Sequence, residues 1–90
     1  MKVKVTQNHI AIGMRHSPRQ CPIALALVDK KLVDVRVCTN WAYFTKRGLF
    51  LMSVDFGAKL PSTAAAFIRA FDSGKDVEPF EFEIHPKKSK

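Results

Sequence analysis

Apolar and polar positions alternate with a period of two in several short stretches, and recur every three to four residues in another. In Lys2-Val3-Lys4-Val5 both valines fall on one face, which predicts a strand. Thr6 is placed to cap a short helix over 7–12, which Gly13 is expected to end in a left-handed conformation. Ser17-Pro18 reads as a cap and first helical position, opening a helix from 18 or 22 to about 30. Pro22 is acceptable only because it falls in the first turn. That helix is apolar on nearly every side from 23 to 28, so it is expected under other elements rather than on the surface.

The stretch 32–38 alternates again, with Val33, Val35 and Val37 on one face, and Thr39-Asn40 reads as a turn. Residues 41–45 form a second, aromatic-rich strand. Lys46-Arg47-Gly48 is a hairpin-like connection to a third strand over 49–54. Beyond Gly57, Pro61 marks the start of a helix whose Ala64, Phe67, Ile68 and Phe71 make one stripe, with Gly74 just past its end. In the last strand Phe80, Phe82 and Ile84 alternate with Glu81 and Glu83, Pro86 stops the pairing, and a frayed tail follows.

The order β, short helix, α, β, β, β, α, β predicts a single α+β domain over 1–86 with a basic tail over 87–90. Its four to five strands are mainly antiparallel, with the two main helices on one face. Pairing the first strand with the last would set Lys2 and Lys4 opposite Glu83 and Glu81 on the solvent face.

Composition then narrows the class. Ninety residues bury about 60–65% of their unfolded surface, enough for one core without metal or disulfide staples. Apolar residues make up 47% of the chain, and seven are Phe, which argues against disorder. No apolar run reaches membrane-spanning length, and the first five residues are no signal peptide. A cytoplasmic protein of a bacterial host, away from membranes, is the expectation, with Cys21 and Cys38 reduced and largely buried. The net charge of +7 is unevenly spread. Residues 1–47 carry nine Lys and Arg against Asp29 and Asp34, whereas 48–86 are net acidic. Such asymmetry suggests an anionic partner, though it also serves solubility.

Three phrases run in order along most of the chain: Ile10-x-x-Gly13, Ser17-x-x-x-Cys21-Pro22-Ile23-Ala24-Leu25-Ala26, and Phe67-Ile68-Arg69-Ala70-Phe71-Asp72-x-Gly74-x-x-Val77-x-Pro79-Phe80-x-Phe82. Together they resemble a group of small uncharacterised proteins from bacteriophages and phage-like elements. The resemblance implies a phage-type accessory protein and supplies no catalytic or binding residues. The chain departs from that pattern at His9, where an acidic residue would complete a capping box, and in the length of segment 49–59.

Little points to catalysis or cofactors. Cys21 or Cys38 with His9, His16 or His85 could form a nucleophile and base, but a small residue before Pro22 is also a helix cap. His9, His16, Cys21 and Cys38 match no zinc-knuckle spacing, so no metal, no cofactor and no enzymatic activity are expected. Arg15, His16 and Arg19 lead into a helix start, where an anion is favoured; Lys30 and Lys31 end that helix, where cations also serve stability. Trp41 and Tyr43 share a strand face. If Phe44 is core, that face is the outer one, beside Arg36, Lys46 and Arg47, and forms a stacking platform; the alternative turns Trp41 inward.

The leading expectation is a binding module for nucleic acid, or for a nucleic-acid-handling complex. It would act through Arg15, Arg19, Lys30, Lys31, Arg36, Lys46 and Arg47, with Trp41 and Tyr43 stacking. A host-takeover inhibitor docking on a host protein through its aromatics and segment 49–59 is the second. A structural homo-oligomer, for instance a homodimer, is the third.

Overall fold

The computed structural model describes residues 1–47 and 53–88. The element order is β1 (Lys2–Val5), α1 (Gln7–Ile12), α2 (Pro22–Val28), β2 (Val33–Val37), β3 (Trp41–Arg47), β4 (Ser53–Lys59), α3 (Ser62–Asp72), β5 (Phe80–Glu83) and β6 (Lys87–Lys88). This is an α+β domain, with its strands in two antiparallel sheets rather than one. β1 and β5 pair as a ribbon, with Lys2 opposite Glu83 and Lys4 opposite Glu81 as the alternation requires. The other sheet runs β2-β3-β4-β6. Among the described residues, no helix is long and apolar enough to cross a membrane.

One apolar cluster joins both sheets to α2 and α3. Val3, Val5, Ile23 and Leu27 are almost fully enclosed, which accounts for the all-round apolar character of α2. The stripe predicted on α3 is buried throughout. Phe67 of α3 stacks on Phe80 of β5 at 4.7 Å between ring centroids, and Phe80 on Phe82 at 5.3 Å. α3 ends in a Schellman motif: Gly74 donates to the Phe71 carbonyl and Lys75 to that of Ala70, with Gly74 at φ +81°.

Several expectations need correction, each for a local reason. Gly13 is extended, at φ −68° and ψ 154°, and not left-handed. It is glycine because the chain passes α2 closely: a Cβ there would lie 2.8 Å from both the His9 carbonyl oxygen and the Pro22 ring. The helix over 18 or 22 to 30 is confined to Pro22–Val28, because Ser17 caps only a preceding turn, its Oγ accepting from the Gln20 N–H. Lys31, at φ 67°, turns the chain out of α2. Val33 leaves the face of Val35 and Val37, since Asp34 at φ 51° introduces a register shift into β2. The third strand is Ser53–Lys59 rather than 49–54, and 49–52 lie outside the described residues. Pro86 does not stop the pairing, and Lys87 and Lys88 are not frayed: they pair with Gly57 and Phe56 as β6. Cys38 is exposed, whereas Cys21 is buried.

His9 replaces the usual acidic residue of a capping box and completes it. Thr6 donates its N–H to His9 Nδ1 at 3.0 Å, and the Thr6 hydroxyl oxygen accepts from the His9 N–H. With Nδ1 accepting, Nε2 holds the ring proton and donates to Asp29 Oδ2 at 2.5 Å, tying α1 to the end of α2. A carboxylate in place of this ring would cap Thr6 equally well but would oppose Asp29.

Candidate functional site

Alternation along β3 divides its side chains between two faces. Ala42 and Phe44 are buried, and Phe44 stacks on Phe56 of β4 beneath the sheet. Trp41 and Tyr43 therefore point outward, 44% and 42% exposed. Their rings lie 6.4 Å apart and within 14° of parallel. Residues directly opposite in an antiparallel sheet share a face, so the register determines what surrounds these rings. Arg36 on β2 and Gly57 on β4 both oppose Tyr43, Lys59 opposes Trp41, and Lys87 on β6 opposes Gly57. Arg47 lies on the same side of β3, two steps beyond Thr45. A Cβ at Gly57 would meet the Tyr43 ring edge at 3.4 Å, so glycine leaves the ring there free of a side-chain contact.

Arg19 joins this face from outside the sheet. The Pro18 carbonyl accepts from the Val37 N–H at 2.8 Å, laying the loop before α2 along the β2 edge. Arg19 and Arg36 then line a cleft of about 260 Å³ with Tyr43, Thr45, Asp34 and Asp55. Five cations, Arg19, Arg36, Arg47, Lys59 and Lys87, thus lie on or beside the face that carries the two exposed rings, with two carboxylates at one end. Asp55 is engaged by the Thr45 hydroxyl, which donates to it at 2.6 Å. No arginine or lysine among the described residues forms an ion pair within 4.0 Å; the two pairs present there are His9–Asp29 and His16–Asp72.

The remaining predicted residues lie elsewhere. The Arg15 guanidinium stands beside Gly74 at the end of α3, where a cation is favourable for the helix itself. His16 donates its N–H to Asp72 at 2.9 Å. The loop's cations are thus divided between α3 and the sheet, and no joint anion site forms before α2, whose cap is the Cys21 sulfur accepting from Ala24 N–H. Lys30 and Lys31 occupy the turn after α2 and do not line the Arg36 cleft. Lys46 faces the other side of β3, edging a hollow with Phe44, Phe56 and Pro86.

Sequence reasoning missed Lys59 and Lys87. The signal was present: Val54, Phe56 and Ala58 alternate with Asp55, Gly57 and Lys59, so the strand runs on past 54.

His16, Cys21, Cys38 and Asp72 line a cleft of about 280 Å³, but burial pushes the Cys21 thiol above its ordinary pKa. A raised pKa suppresses the thiolate that a nucleophile needs. Among the described residues, no group of three His, Cys, Asp or Glu is arranged to hold a metal ion. No family model, curated protein or solved structure matches this chain.

Proposed function

We propose that this protein is a non-enzymatic, stoichiometric nucleic-acid-binding module, in the manner of a phage-type accessory protein, and that it binds through the outer face of the four-stranded sheet. The observation that carries this reading is the placement of two half-exposed, near-parallel rings among five cations that form no ion pair among the described residues. Arginine and lysine neutralise phosphates and release their counterions, and aromatic rings stack on bases of any identity. Stacking accepts a base of any identity, so binding is expected to tolerate sequence.

Fluorescence anisotropy with labelled oligonucleotides at several salt concentrations tests this. Affinity should fall steeply as salt rises, and Trp41→Ala or Tyr43→Ala should each weaken binding by about 1–3 kcal/mol. Both side chains are exposed, so the variants should remain folded by circular dichroism. Binding indifferent to salt, or untouched by either substitution, overturns the proposal. A host protein retained by affinity capture after nuclease treatment, and lost in the Trp41→Ala variant, would reassign the face to a protein partner.

A further inference from the structure

The aromatic face does not stop at Trp41. Asn40, which precedes Trp41, and Lys59, which lies opposite it, also line an open groove of about 650 Å³ between the sheet and α3. Arg69 of α3 and His85 after β5 line the far side of the same groove. Both are exposed, and Arg69 makes no ion pair within 4.0 Å among the described residues. Glu83 is the one carboxylate there, and its cross-strand neighbour is Lys2. Resting on the reading above, we infer that the ligand is a single-stranded polynucleotide running along β3. Two successive bases stack on Tyr43 and Trp41, and the backbone then enters the groove, where Lys59, Arg69 and His85 meet its next phosphates.

Three features favour this path. A duplex keeps its base faces covered, so only an unpaired strand can stack on these two half-exposed rings. The Tyr43 end is electrostatically mixed, because Asp34 and Asp55 stand beside Arg19 and Arg36. The Trp41 end has Lys59 and Arg69 against Glu83 alone, so a polyanion is drawn out through the groove. Lys59 belongs to both regions, which makes platform and groove one continuous surface.

The test uses labelled oligothymidylates of increasing length and a hairpin duplex, with wild type, Arg69→Glu and His85→Ala. Single strands should bind more tightly than the duplex. Affinity should rise with length until a strand spans platform and groove, then level off. Arg69→Glu should weaken long strands about tenfold while leaving the shortest unaffected. His85→Ala should act in the same direction with a smaller effect. If long strands bind Arg69→Glu and His85→Ala as they bind wild type while Trp41→Ala still loses them, the groove path is wrong and the platform stands. Equal affinity for duplex and single strand also overturns the inference. Failure of wild type to bind any oligonucleotide at low salt removes the nucleic-acid reading itself.

Discussion

Cys21 caps α2 with sulfur, a weak acceptor, where Ser, Thr, Asp or Asn is usual. The residue is only 5% exposed. Burial pushes its pKa above the ordinary thiol value, and the nearby Asp72 carboxylate adds to the shift, while N–H groups of Ala24 and Ile23 oppose it. Below the unfolded value both states hold the proton and stability is intact. As pH climbs past that value the unfolded chain releases a proton that the folded chain retains, so stability declines until the folded value is passed. Urea midpoints should therefore drop as pH rises beyond about 8.5. Cys21→Ser should flatten that decline, since a hydroxyl still caps Ala24 and does not ionise there. A decline unchanged in Cys21→Ser would place its origin in another group.

At the scale of elements, α1 is only six residues long and depends on its start rather than on its length. His9→Ala removes the acceptor of the Thr6 N–H and the link to Asp29 together, and should cost about 2 kcal/mol by urea denaturation. Thr6→Ala should cost about 1 kcal/mol, and the double variant less than the sum, because both groups serve one box. Additive losses would mean the two act independently. The elements legible from sequence were those whose own pattern fixed them: β1, α3 and β5 by period, and the β1–β5 pairing by opposite charges. What escaped depended on neighbours. The bulge at Asp34 turns Val33 outward, the approach of α2 makes Gly13 necessary, and Lys87 and Lys88 order only because β4 offers an edge. The aromatic face was half legible for the same reason. Trp41 and Tyr43 share a side by alternation alone, whereas Lys59 and Lys87 reach it only through register.

For the whole molecule, register gathers part of a diffuse surplus of charge onto one face, with Asp34 and Asp55 confined to its Tyr43 end. β6 shows this most sharply, because its two lysines point to opposite sides: Lys87 opposes Gly57 on the aromatic face, and Lys88 opposes Phe56 on the other. Lys87→Gln should therefore lower the slope of log affinity against log salt by about 0.7, the value of one phosphate contact on a single strand. Lys88→Gln should leave that slope as it is. Equal effects would mean that net charge, and not the face, governs binding.

Trp41 is the chain's only tryptophan, and it stands on the outer face and not in the core. Its emission is therefore a poor witness to unfolding, because the indole already meets solvent in the native state. Denaturation is better followed by backbone dichroism, which senses both sheets and α3. The same placement gives the protein a built-in optical probe of whatever settles beside Tyr43, readable without attaching a dye to either molecule.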